Sequence, residues 1–411
     1  RPAVIDHFAG DRTPSVSTLG RATQEAARRA EALLEVLDEV TWPQVTEGAF
    51  DEIFVGRTPI LMGVEPESLC WVLGELADSR DGATWAAQFA RFPSLEHVIT
   101  DAGTGLAKGL ALSNQSRPQP LEHTLDVFHT LREGSRAWRM TESRVWKLDE
   151  QAQKLWKPLE RLRRQGQSLQ GQTQTAHAAQ RQAEQALEAA IETETAWGHV
   201  RECLELFTPE GQLNTRAAAR AKLDAWLPRL SGATWAKTVR LLQRPESLTF
   251  LDRIQRQLGD LSIPDDLKQD AIRFEGLRRQ PAMLQGEAPQ SRASRGWWLI
   301  ATLRYRRDPA FCEAVASVRG VLRGCWRASS LVEGINSVVR MQQARHRKLT
   351  PGLLSLKRLY WNCRRFRTGR RRGRSPYELL GLVLPPGSWW RLLKMTPDQL
   401  RQELSTLQVA P

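Results

Sequence analysis

Three carboxylates stand where acid chemistry would need them. Asp51 lies inside the run Phe50-Asp51-Glu52-Ile53-Phe54, Asp101 closes the β-branched run His97-Val98-Ile99-Thr100, and Glu333 sits on the first turns of a helical stretch starting at Ser329 or Ser330. They are far apart in the chain, so only a fold can bring them together. Three converging carboxylates repel one another unless divalent cations neutralise them, and hard oxygen donors suit Mg²⁺ or Mn²⁺. Two such ions would activate a water or a 3′-hydroxyl and stabilise the leaving oxygen at a phosphorus. Each acid has a plainer alternative. Glu52 competes with Asp51, because strand neighbours face opposite sides. Asp101 could cap the following helix, and Glu333 could be an ordinary helix acid beside Arg327.

The charge pattern says what such a site would act on. From Gly334 to Tyr377 there is no Asp or Glu, and thirteen Lys or Arg fall in that window. Without them the remaining 46 basic residues balance the 46 acidic ones, so the net charge of +13 sits in this window alone. A polyanion is the matching partner, nucleic acid before an anionic membrane surface. Asn336, Arg340 and Arg347 share a helical face with Glu333 by i, i+3, i+4, i+7 spacing and are candidate strand contacts. With Lys348, Arg364, Arg365, Arg370, Arg371 and Arg372 they make the expected nucleic-acid surface. Tyr360, Trp361 and Phe366 are interleaved there for stacking; the bland reading is a solvated loop.

The elements that must position these residues follow from pattern. Ser15–Val40 reads as an amphipathic helix. Ala49–Val55, Pro59–Val64 and Ser68–Leu76 read as an antiparallel meander. A helix over Thr84–Phe92, a strand over His97–Thr100, a helix over Leu106–Leu112 and a fifth strand over Thr124–Leu131 follow. That order predicts a mixed α/β sheet whose first and fourth strands are neighbours, with Asp51 facing Asp101. Asp126 and His129 on the fifth strand are secondary candidates to line the site. From Arg136 to Trp326 strand signals nearly vanish and Gln-, Ala-, Glu- and Leu-rich helices take over; the Gln-rich stretch Gln151–Gln185 reads as a solvated helical hairpin. There Trp298 is expected in a core, with base stacking as the sharper alternative. The final helices fall at Ser330–Arg347, Pro351–Arg367 and Thr396–Leu407.

At this point the residues resemble a known family. Phe50-Asp51-Glu52-Ile53-Phe54, Val98-Ile99-Thr100-Asp101-Ala102-Gly103, and Glu333 followed seven residues later by Arg340 are similar to the DDE transposases of bacterial insertion sequences. Tyr360-Trp361-Asn362 and Gly373-Arg374-Ser375-Pro376-Tyr377-Glu378-Leu379-Leu380-Gly381 resemble the ends of several of them. The resemblance covers Val45–Leu131 and Trp326–Gly381. It implies an RNase H-like core with a mixed five-stranded sheet, interrupted by a large all-α insertion and followed by a basic helical region. It also implies Asp51, Asp101 and Glu333 as catalytic ligands of two Mg²⁺ or Mn²⁺ ions, Arg340 as a phosphate contact, and cutting and joining of DNA element ends by transesterification. The insertion matches by position only. No helix-turn-helix or zinc module precedes the first helix. The chain opens on Arg1 without a leader, and is expected to lack upstream sequence.

The expected organisation is an arm and helix at 1–44, the first part of the core at 45–135, the insertion at 136–326, the Glu333 helix at 327–350 and the basic region at 351–411. The alternatives are a DNA- or RNA-binding protein that lost the reaction, and an RNase H-like nuclease that cuts without joining. Loss of one acid would mark the former, and all three are present. The five cysteines are scattered without a Cys-x-x-Cys, which argues against zinc or disulfides and fits a reducing cytoplasm. No apolar run is long enough to span a membrane. A cytoplasmic, nucleoid-associated bacterial protein, pairing two DNA ends as a homodimer or higher oligomer, is the expectation.

Overall fold

Ser15 opens the first element by accepting the Thr18 N–H on its hydroxyl, and the chain then runs helical as α1, Val16–Thr41. The computed structural model describes residues 15–169, 173–280, 291–345 and 349–408, with 283, 285 and 289. The expected arm at 1–14 lies outside them. Strands β1 (Glu47–Val55), β2 (Thr58–Glu65) and β3 (Cys70–Leu76) follow, then α2 (Gly82–Ala90), β4 (His97–Thr100), α3 (Thr104–Ser116) and β5 (Glu122–Leu125). The sheet order is β3-β2-β1-β4-β5. β1 pairs antiparallel with β2 and β2 with β3, while β1 and β4 run parallel in the register Glu47↔His97 to Phe50↔Thr100. The mixed five-stranded sheet is as expected.

The fifth strand is shorter and earlier than its composition suggested. Asp126 accepts the His129 N–H on Oδ1 and so caps α4, Val127–Arg164, in place of a strand through Leu131. An N-cap acid converts the following residues to helix despite their β-branched and aromatic content. Helices α5 (Thr173–Cys203), α6 (Arg216–Trp226), α7 (Ala236–Gln243), α8 (Thr249–Gly259), α9 (Asp265–Arg278), α10 (Arg292–Arg307) and α11 (Pro309–Arg323) complete this region. Its core gathers Trp197, Leu223, Trp235, Phe250, Phe274 and Phe311. After it come α12 (Ser330–Arg345), α13 (Pro351–Cys363), the short turns α14 (Pro376–Leu379) and α15 (Trp389–Leu392), and α16 (Pro397–Gln408).

The chain divides into a sheet unit, Arg1–His123 with Ala328–Pro411, and a helical unit, Thr124–Arg327. The helical unit therefore begins at 124 rather than at 136, because helix replaces strand after Leu125. The basic region at 351–411 is not separate either. Leu359, Tyr377, Leu392, Leu400 and Leu404 join α1 and the strands in one core.

Within the sheet unit the two faces of β1 do different work. Phe50 points to the α2 face, where its ring meets Phe89 edge-on at 5.1 Å and Trp85 at 6.2 Å. α12 packs on β1 and β2, burying Val332, Ile335, Asn336 and Val339 at helical spacing. α13 lies against α1 and β3. Its Asn362 accepts the Trp71 N–H at 2.8 Å and donates to the Trp71 carbonyl at 3.0 Å. A side-chain amide thereby fills hydrogen-bonding positions on the edge strand, which shields that edge from pairing with another chain.

Candidate active site

β1 sets Asp51 and Glu52 on opposite faces. Asp51 Oδ1 accepts the Glu52 N–H at 2.7 Å, and its Oδ2 accepts from Asn336 Nδ2 at 2.9 Å. Asn336 lies one helical turn after Glu333, so α12 brings Glu333 to the neighbourhood of Asp51. Asn336 itself is fully buried. That corrects its expected role as a nucleic-acid contact: it holds Asp51. The carboxylate can only accept, so the amide Nδ2 faces it, and among the described residues Asn336 Oδ1 is left buried with no hydrogen-bond partner.

Asp101 follows the last residue of β4. Its Oδ1 accepts the Gly103 N–H at 2.8 Å, and Gly103 is the N-cap of α3 without a side-chain cap bond. A Cβ at Gly103 would lie 2.8 Å from Asp101 Oδ1 and 3.7 Å from Glu52 Oε1. The two carboxylates thus border one notch that the missing side chain leaves open. Glu52 is nearly buried; its Oε1 pairs with Arg80, and Oε2 accepts the Trp85 indole N–H at 3.4 Å.

The register carries Asp51 and Asp101 one step past Phe50↔Thr100 at the same end of the parallel pair, but β4 ends at Thr100. The turn then sets Asp101 on the notch bordered by Glu52. Among the described residues no three His, Cys, Asp or Glu side chains form a group that could hold a metal.

Asp126 and His129 belong to the helical unit, where Asp126 Oδ2 lies 2.9 Å from His129 Nδ1 and Oδ1 caps α4. Their sequence reading as strand residues gives way to this capping role. Trp298, offered for base stacking, lies flat on Phe274 at 4.7 Å in the helical core.

The basic window is partly committed to the fold. Arg340 is exposed on α12, and Arg347 and Lys348 lie outside the described residues. Arg358 is buried against Asp38, donating to it and to the Trp71 and Val72 carbonyls. Arg371 donates to the Glu67 carbonyl at 2.7 Å and the Pro66 carbonyl at 2.9 Å, while Arg370 pairs with Glu67 and Arg365 with Glu378. Arg364 lies over the Trp361 ring at 5.0 Å, exposed with Arg367, Arg372 and Arg374. The loop is ordered by its own backbone: Phe366 N–H donates to Arg374 O and Gly373 N–H to Phe366 O. Arg374 donates to the Glu378 carbonyl at 2.7 Å, so the available surface is narrower than thirteen charges suggested, centred on Arg340, Arg364, Arg367 and Arg372.

Sequence reasoning missed Arg80 and Trp85 as partners of Glu52, and Asp38 as the partner of Arg358. Arg80 falls in a turn-like Ser-Arg-Asp-Gly stretch, and Asp38 and Arg358 are separated by nearly the whole chain, so no local spacing links them. Burial pushes the Cys203 thiol up to about 11 and the Cys363 thiol up to about 12, so neither is a thiolate at neutral pH. Among the described residues no helix is long and apolar enough to cross a membrane. The chain matches no protein-family model and no curated protein by sequence.

Proposed function

We propose that the sheet unit is an RNase H-like catalytic core of a DDE-type transposase that cuts the ends of a DNA element and joins them to target DNA. One observation carries this reading. The α12 residue Asn336 hydrogen-bonds Asp51 in the middle of β1, which tethers the Glu333 helix to the strand that bears the first acid, beside the end of β4 that bears the second. A structural helix acid would need no such link.

The donor set fits divalent cations. All the candidate ligands are hard carboxylate oxygens, the notch at Gly103 is open between Asp101 and Glu52, and the Asn336 Oδ1 beside Asp51 is an acceptor left over for a cation-bound water. Asp51, Asp101 and Glu333 would hold two Mg²⁺ or Mn²⁺ ions, with Glu52 as a further carboxylate at the notch. Bound there, such ions supply an activated oxygen nucleophile and charge stabilisation at phosphorus. The chain's own residues do the rest. Asn336 fixes the Asp51 carboxylate, the Gly103 N–H fixes Asp101, and exposed Arg340 and Arg372 hold phosphates of the strand.

The test is divalent-metal-dependent nicking and joining of short duplexes carrying the flanking element ends, with Glu333→Gln as the paired control. Wild type should cut and join, and Glu333→Gln should lose at least about a thousandfold in rate. Cutting without joining would favour an RNase H-like nuclease. Salt-sensitive binding with neither reaction would favour a protein that only binds nucleic acid.

A further inference from the structure

The helical unit carries two unpartnered apolar faces of opposite charge. The first is a groove of about 810 Å³ along α4 and α5. Its floor is made by Ala152, Ala183 and Ala190, small residues that let the two helices close on each other. Trp146, Leu187 and Ile191 stand over it, each at least half exposed, Trp146 by 65%. Glu142, Asp149, Glu160, Glu184 and Glu194 line the groove, and among the described residues no Lys or Arg does.

The second face is on α10. Leu299 and Ile300 are 65% and 70% exposed, and Leu303 follows one turn later. Arg292 flanks this stripe at one end and Arg306 with Arg307 at the other, all exposed. Between Arg292 and Arg307 the helix has five arginines and no acid. Exposed contiguous apolar surface of this kind marks an interaction site.

We infer that a second copy of this chain lays its α10 in the acidic α4–α5 groove, the two copies pairing reciprocally so that each gives one helix and one groove. Charge selects this pairing. Groove against groove would set five acids against five, and helix against helix would set arginines against arginines. Only groove against helix is complementary. Length agrees: α10 has 16 residues, about 24 Å at 1.5 Å per residue, while the groove from Trp138 to Glu160 runs about 33 Å along α4. Leu299, Ile300 and Leu303 have the spacing of anchors on one helix face, the pattern of helix-in-groove recognition. Reciprocal use closes the assembly as a two-fold dimer and doubles the buried surface. This inference is independent of the reaction assigned to the sheet unit.

The experiment is a charge swap read by light scattering on the full chain. One variant carries Glu184→Lys and Glu194→Lys in the groove, and the other carries Arg306→Glu and Arg307→Glu on α10. All four positions are exposed, and circular dichroism checks that both variants keep their helices. Wild type should be a dimer whose dissociation constant rises with salt. Each variant alone should be monomeric, its dissociation constant raised by about tenfold or more. Mixing the two should restore a dimer, because the mixed pair is complementary in both grooves. A monomeric wild type overturns the proposal. So do variants that stay dimeric, which would place the interface elsewhere, and variants that fail to pair when mixed.

Discussion

In the helical unit Glu275 is fully buried and receives hydrogen bonds from Arg278 and Arg319, whereas in the sheet unit Asp51 is held by the Glu52 N–H and the Asn336 amide, and Asp101 by the Gly103 N–H. Burial pushes the Glu275 carboxyl up, but the guanidinium groups more than offset that and hold it below its usual range. Asp38 lies between these extremes. Burial there outweighs the single Arg358 and raises its carboxyl above the usual value. An acid ringed by several cations is a staple whose charge is spent inside the protein. Amide donors orient a carboxylate and leave its charge to act on something outside.

The comparison can be broken at several points. The largest effect belongs to Arg358→Met, which leaves Asp38 buried without its partner and should cost about 3–5 kcal/mol. Urea unfolding reads the loss, and hydrogen exchange should localise it to α13, α1 and β3. Replacing both members, with Asp38→Leu added, should recover most of it. If the single variant is as stable as wild type, the pair is not a staple.

Asn336→Ala comes next. Removing an amide that orients a metal-binding carboxylate should raise the divalent-ion concentration that strand cleavage requires by about 10- to 100-fold. The fold should hold, and added Mn²⁺ should restore part of the rate. A loss of stability with unchanged metal dependence would make Asn336 a packing residue instead.

A smaller effect separates the units by pH. Glu275 has a depressed folded-state pKa, so its contribution is present above the unfolded value of about 4.3 and is lost as pH falls through the lower folded value. Acid should therefore loosen the helical unit in that window, and Glu275→Gln should remove this arm at a cost of about 1–2 kcal/mol at neutral pH. Chemical unfolding followed across pH 2–6 checks the sign.

The smallest difference lies within the Arg-rich loop. Arg372→Ala should leave stability unchanged and lower the salt slope of DNA binding by about one charge. Arg371→Ala, which frees the Pro66 and Glu67 carbonyls, should instead cost stability by about 1 kcal/mol. Equal salt slopes for the two would remove the division between structural and available arginines.

The meander, the parallel placement of β4 beside β1, the change to helix beyond the sheet and the concentration of positive charge after Glu333 were all legible in the chain. Those are local or compositional signals: alternation, turn residues, helical spacing and the absence of acids over one window. The start of the helical unit was also written locally, in the Asp126 cap, but β-branched neighbours masked it. The long-range partners were not legible in the chain. Asn336 reads as a polar surface residue until α12 lies on β1 and aims it at Asp51 across nearly three hundred positions. Glu52 reads as the wrong face of a strand until the turn after Thr100 brings Asp101 to the same notch. Arg358 counts as one charge among thirteen until α13 buries it on Asp38. Period and composition fix which face a residue occupies, but which distant face it meets is set by packing, and packing leaves no local trace in the chain.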